Sequence, residues 1–126
     1  PAYDFSNAEV RMHAVWWLWP NVCFLRYPGS GNMMVLHIVP VALDHTVETY
    51  DFYFLDATPN PQQWQAIRYI DEVLQPEDIA IVESVHQGLR SKGYRDGRLM
   101  VSDRLGGEGE HGVHHFHSLL AQALGA

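Results

Sequence analysis

The chain predicts an α+β fold, an antiparallel β-meander followed by helices, and three observations carry that prediction. Between Met12 and Leu55 the sequence is rich in β-branched and aromatic residues, with turn residues breaking it at short intervals. After Asn60 the apolar spacing changes from the two-residue period of strands to the three-to-four-residue period of helices. Strand-forming and helix-forming text is segregated and does not alternate, which argues for a sheet with helices over one face.

In chain order, residues 1 to 10 are polar and small and form an entry segment. Met12 to Leu18 reads as a first strand, and Trp19-Pro20-Asn21 as a turn, since proline donates nothing to a ladder. Val22 to Tyr27 is the second strand, and Pro28-Gly29-Ser30-Gly31-Asn32 is a hairpin loop. Met33 to Val41 is the third, with a break expected near Pro40. Thr46 to Leu55 is the fourth, in which Glu48, Tyr50, Phe52 and Phe54 alternate with Val47, Thr49, Asp51, Tyr53 and Leu55. Asn60 caps and Pro61 opens a helix that runs to Leu74. Gln75-Pro76 is expected to break it and to open a second helix, ending near Lys92 with Gly93 as its left-handed C-terminal residue. Tyr94 to Arg104 is a loop with Arg98 to Val101 extended, and Gly106 to Gly109 is a flexible connector. A last helix spans Glu110 to Leu124, with Val113, Phe116, Leu120, Ala123 and Leu124 as its apolar stripe.

The 126 residues suit a single domain, 1–126, large enough to bury a core. A net charge of −7 with no basic cluster argues against a nucleic-acid partner. No apolar run is long enough to span a membrane, and no signal peptide stands out. Cys23 is the one cysteine, which excludes an intrachain disulfide and a cysteine-built zinc or iron–sulfur site, and makes a reducing, cytoplasmic compartment the default. The chain begins at Pro1 and not at methionine, as expected of a processed product or a piece of something longer.

Three groups carry candidate chemistry. Asp78 stands in the first turn of the second helix and shares a stripe with Val82, Val85 and Leu89. A carboxylate turned toward a core needs a partner, because an unpaired buried charge is costly. Two readings are open: a helix-start acid interacting with the dipole, or a metal ligand or catalytic carboxylate. His111 and His115, four apart, could share a metal on a helix, although a polar face is the simpler reading and the H-E-x-x-H pattern of zinc proteases is absent. His117, beside the apolar stripe, is expected to pack with a hydrogen-bond partner. Trp16, Trp17, Trp19, Phe24 and Tyr27, with Met33 and Met34, read first as core, with an apolar binding cavity as the alternative.

Taken together, several of these stretches are familiar. Trp19-Pro20-Asn21, Asp51 to Phe54, Glu77 to Val85, Gly88 to Tyr94, Gly97-Arg98-Leu99, Glu110-His111 and Phe116-His117 follow in order. As a set the chain resembles the C-terminal part of the catalytic domain of Rieske non-haem iron oxygenase α subunits, in the branch that includes aromatic-ring hydroxylases and carnitine- or betaine-type monooxygenases. The resemblance implies a partial helix-grip fold, a curved sheet gripping the C-terminal helix. It implies a mononuclear Fe(II) held by two histidines and an aspartate, the last matching Asp78. Substrate-binding positions match His13, Val15, Leu25 and Leu74. It further implies O₂ and a small aromatic or quaternary-amine substrate, hydroxylated or demethylated. The upstream half of the α subunit, a reductase or ferredoxin feeding a Rieske [2Fe-2S] cluster, and a homo-oligomer complete the expected partners.

The chain departs from the family pattern in specific places. No H-x-x-x-x-H pair stands upstream of Arg11, and one cysteine cannot hold a Rieske cluster. His86 stands where the family usually has glutamine, and Gly106 to Gly109 is an unusual run. Alone the chain is expected not to turn over. Two other classes compete: a non-enzymatic helix-grip module binding an apolar small molecule, and a fragment stable only as an oligomer through exposed sheet edges.

Overall fold

The structure is a computed structural model describing residues 12–102, 104 and 109–125. The chain divides into two compact units, residues 1–83 and 84–126. The first holds a four-stranded antiparallel sheet in the order β1-β2-β3-β4, followed by helices, as the α+β prediction requires. The strands are β1 (Ala14–Leu18), β2 (Val22–Arg26), β3 (Asn32–Ala42) and β4 (His45–Phe54).

The register assigns the two faces. Val15 pairs with Leu25, Leu25 with Met34 and Met34 with Phe52; one row along, Trp17, Cys23, Leu36 and Tyr50 are matched in the same way. Because side chains alternate across a strand, these two rows share one face. That face carries the core: Tyr27, Met34, Ala66 and Ile70 are buried together, with Leu25, Tyr50 and Phe52 packed against them. The expected break at Pro40 is instead a register irregularity between Pro40 and Ala42 in an unbroken strand. Ile38 donates its N–H to the Asn21 carbonyl at 2.9 Å, so Pro40, two residues on, turns its N to the same side, beyond the last paired residue of β2. Its missing donor costs the ladder nothing there.

Pro20 also avoids the ladder, in the turn between β1 and β2, where the Trp19–Pro20 bond is cis. At the next turn Gly29 has φ 146°, a backbone state that favours glycine. Asn32 closes this loop, accepting from the Tyr27 N–H at 3.1 Å and donating to the Tyr27 and Ser30 carbonyls.

The same loop anchors helix α1 (Pro61–Tyr69). Asn60 and Gln63 form a reciprocal capping box, the Asn60 amide donates to Ser30 Oγ, and Ser30 Oγ donates to Gln62 Oε1. Gln63 is itself buried and donates to the Gly31 carbonyl at 3.1 Å. The predicted cap is thus also the staple that lays α1 across the sheet. Asn60→Ala is expected to lower the stability of the chain by ~1–2 kcal/mol, measured by urea denaturation, because it removes a cap and the bond to Ser30.

The helix does not break at Gln75-Pro76. It continues through a π-helical turn, Ile70–Leu74, directly into α2 (Gln75–Leu89). The Gln75 N–H bonds the Ile70 carbonyl five residues back. In an α-helix Pro76 would lack a donor for Glu72 and its ring would press on that carbonyl; the wider turn just before it relaxes the ladder at that place.

In the second unit α2 ends at Leu89, earlier than Lys92, because Arg90 and Ser91 close it with short bonds to the Gln87 and Gly88 carbonyls. Gly93 consequently does not cap it. Arg98 to Val101 lie in a loop, as expected. Met100 is tied to the start of α3 (His111–Leu124): it donates to Glu110 Oε2 at 2.6 Å and accepts from the Glu110 N–H at 2.8 Å. Gly125, at φ 70°, supplies the left-handed end of α3. The expected entry segment, residues 1 to 10, and the 106–108 part of the connector lie outside the described residues.

Candidate functional site

Asp78 is the centre of the candidate site, and the structure changes the reason for thinking so. It is exposed, as are Val82, Val85 and Leu89 on its stripe, and α2 buries no residue at all. The expected burial of this stripe therefore does not hold: nothing among the described residues covers it. Nor does Asp78 stand at a free helix start, since the helix runs unbroken from Pro61. The dipole explanation needs free N–H groups in a first turn, and here the preceding turns use them.

What Asp78 does have is a neighbourhood on the core face of the sheet. Tyr50 of β4 donates its hydroxyl hydrogen to Glu48 Oε2 at 3.0 Å. Burial first, then the bond to Glu48 and the charges of Glu48 and Asp78, push the Tyr50 phenol well above its ordinary value. Tyr50 is therefore a neutral donor at any physiological pH. The Cys23 thiol, in the same transverse row, is pushed up by burial and by the charge of Glu48. A thiol held protonated is a poor nucleophile, and it packs here as a small apolar group. Among the described residues neither Glu48 nor Asp78 has an ion-pair partner, so two carboxylates flank one phenol.

Glu48 and Tyr50 were not singled out from the sequence, yet one signal pointed to them. The β4 alternation puts Glu48 on the same face as Tyr50 and Phe52, an acid among core positions.

The expected substrate-binding residues fall as follows. Val15 and Leu25 are direct cross-strand partners on the core face, Val15 half-exposed and Leu25 partly buried. His13 precedes β1 by one residue and is exposed, and Leu74 lies in the π turn, 36% exposed. None of the four lines the open groove of about 370 Å³ between Arg26, Asn32, Met33, Tyr53, Phe54 and Leu55. The aromatic group divides as well: Tyr27 and Met34 are buried, whereas Trp16, Trp17 and Met33 are 54%, 46% and 43% exposed. The core expectation fails for the tryptophans because β1 is an edge strand, on which Trp16 faces away from the core and Trp17 stands outside the buried cluster.

The histidines do not converge. His111 Nε2 sits 3.2 Å from the Ser102 carbonyl, and His117 is exposed beside the Phe116 ring, not packed. The packing expectation fails because α3 has no buried face among the described residues. No three His, Cys, Asp or Glu side chains among the described residues are grouped to hold a metal. Asp78 offers a hard oxygen donor on a regular helix, which suits one position of a non-haem iron site and leaves the remaining donors to be supplied.

Comparison with known proteins gives this arrangement its context. Residues 3–126 match the family model of the ring hydroxylating alpha subunit (catalytic domain). The oxygenase subunit of carnitine monooxygenase from Escherichia coli (strain K12) is 42% identical over 124 residues, covering 98% of this chain and 33% of that protein. The chloroplastic choline monooxygenase of Amaranthus tricolor is 32% identical over 108 residues, covering 85% of this chain and 23% of that protein. The crystal structure of the quaternary ammonium Rieske monooxygenase CntA in complex with its substrate L-carnitine superposes with a TM-score of 0.77 at 39% identity, over 86% of this chain and 31% of that one. The chain thus spans about a third of the length of the carnitine monooxygenase subunit. With nearly its whole length matched, it belongs to the family of ring-hydroxylating α-subunit catalytic domains.

Proposed function

We propose that this chain is the C-terminal portion of the catalytic domain of a Rieske-type non-haem iron monooxygenase acting on a quaternary ammonium compound. The observation that carries the reading is the 42% identity to the carnitine monooxygenase subunit along almost all of the chain. Of the two substrate classes the sequence suggested, the relatives favour the amine, since carnitine and choline both carry a trimethylammonium group.

Within this reading Asp78 holds one position of a mononuclear Fe(II), with two histidines supplied from outside the described residues. Such an iron, when bound and supplied with electrons through a Rieske cluster, would supply the reductive activation of O₂, the oxidant of the substrate. The chain's own residues do the rest of the work described here. Val15, Leu25 and Leu74 offer apolar surface that excludes water from the reacting end of the substrate, and His13 stands at its rim. Tyr50 keeps its proton on the bond to Glu48 and takes no part in proton transfer near neutral pH. A helix-grip fold, assembly into a homo-oligomer through the open apolar faces, a reductase or ferredoxin partner and a cytoplasmic location belong to the same reading.

The test is turnover by the intact oxygenase that carries this chain, with its reductase and Fe(II). O₂ consumption and product formation are compared for L-carnitine, choline and a neutral aromatic hydrocarbon. Oxidation of a quaternary ammonium substrate coupled to O₂ uptake is expected. Turnover of the aromatic alone overturns the substrate class, and failure to oxidise any of them with a full iron complement overturns the activity.

A further inference from the structure

We propose that Glu48 is a substrate-binding residue, the anion that receives the trimethylammonium group while the reacting end of the molecule lies toward Asp78. The inference rests on the quaternary-ammonium reading of the function and names the subsite that this reading requires.

The first support is where the sheet and its helix place the two carboxylates. Gln63, at the start of α1, donates to the Gly31 carbonyl at 3.1 Å. Ala66 and Ile70, one and two turns on, are buried with Met34, three residues along the chain from Gly31. The helix thus advances over the core face from the Gly31 end of the sheet toward the other end. Between Ile70 and Asp78, with one residue absorbed in the π turn, it gains about 11 Å of rise. Between Met34 and Ile38, β3 gains about 13 Å. Asp78 therefore comes about level with Ile38, whose cross-strand partner is Glu48. Glu48 in turn shares its face with Tyr50 and Phe52, which pack against the cluster that Ala66 and Ile70 complete.

The second support is the chemistry of the Glu48 side chain. Its Oε2 accepts the Tyr50 hydroxyl hydrogen at 3.0 Å, which fixes the carboxylate on the sheet. No cation among the described residues pairs with it. In a site that excludes water, such a carboxylate needs a positive partner. A trimethylammonium ion brings that charge but no hydrogen-bond donor, so negative charge and aromatic faces select it. Glu48 supplies the charge and the half-buried ring of Tyr50 the face. Burial and the neighbouring charges, that of Asp78 among them, keep the Tyr50 phenol neutral, so it adds no second anion.

The experiment uses the intact oxygenase with its reductase and a full iron complement. The substrate is whichever of L-carnitine and choline the wild type oxidises, and the comparison ligand is its neutral isostere, with tert-butyl in place of trimethylammonium. Anaerobic titration gives Kd for both, and steady-state turnover gives kcat for the substrate. Glu48→Gln is expected to weaken substrate binding by about 10- to 100-fold, to leave kcat within about threefold, and to bring the affinities for cation and isostere together. Glu48→Asp, which keeps the charge, should recover most of the loss. Tyr50→Phe should weaken binding less, and should add nothing in the Glu48→Gln background, because it acts through that carboxylate. Asp51→Asn, which alters an exposed acid on the opposite face of the same strand, should stay within about twofold of wild type. The proposal is overturned if Glu48→Gln binds substrate normally, or if it loses the isostere as much as the cation. Loss of iron from Glu48→Gln would make Glu48 a metal donor and overturn it as well. A wild type that oxidises neither ammonium compound overturns the substrate reading, and the proposal falls with it.

Discussion

Asp78→Ala in the intact oxygenase is expected to lose bound iron and to lower turnover by more than about 100-fold, beyond what changes in the supporting shell of a metal site cost. Removing a carboxylate donor takes away both a bond to the metal and a negative charge that offsets the ion. Metal analysis and O₂-coupled turnover are the measurements. The contrast with stability makes the result decisive. Asp78 is exposed, lies mid-helix and has no ion-pair partner among the described residues. The same substitution in the chain itself should therefore shift its unfolding free energy by no more than ~0.5 kcal/mol. A large loss of stability with iron and activity retained would make Asp78 a structural residue.

The second large effect is expected in the core. Met34→Ala should destabilise the chain by ~2–5 kcal/mol in urea denaturation, whereas Met33→Ala should cost less than about 1 kcal/mol. The two methionines are adjacent in sequence and alike in chemistry, but they face opposite sides of β3. Met34 is 5% exposed, paired on one side with Leu25 and on the other with Phe52, and packed with Ala66 and Ile70. Met33 is 43% exposed and pairs with Tyr53. Few residues share this core, so losing one of its larger side chains leaves a cavity that the neighbours cannot fill. Equal losses for the two would show that the faces of the sheet are assigned the wrong way round.

Local signals were legible from the residues alone. The strand text, the Asn60–Pro61 cap and the last helix all stand close to where their residues place them, because each rests on chemistry within a few residues. What could not be read depends on partners distant in sequence. Pro76 announces a helix start wherever no preceding turn can absorb it, and nothing in its neighbours says that Ile70–Leu74 will widen. The exposure of Trp16, Trp17 and the Val82–Val85–Leu89 stripe has a different origin. Apolar spacing says which side chains belong together, not whether anything in this stretch of chain covers them. At the candidate site, Asp78 stands out by its place on an apolar stripe and takes its iron role from the resemblance, while Glu48 and Tyr50 needed the β4 register before they met.

The π turn can also be counted in degrees. A residue of α-helix advances about 100° around the axis, so the eight steps from Ile70 to Asp78 would sweep about 800° and leave Asp78 about 80° away from the direction Ile70 takes into the core. Closing a ring of five between Ile70 and Gln75 absorbs one residue. The remaining seven steps sweep about 700°, and Asp78 falls about 20° short of two full turns, almost in line with Ile70. On this reckoning, one residue absorbed in the π turn changes the compass bearing of a carboxylate two turns further on, swinging it round to the side where Tyr50 and Glu48 stand.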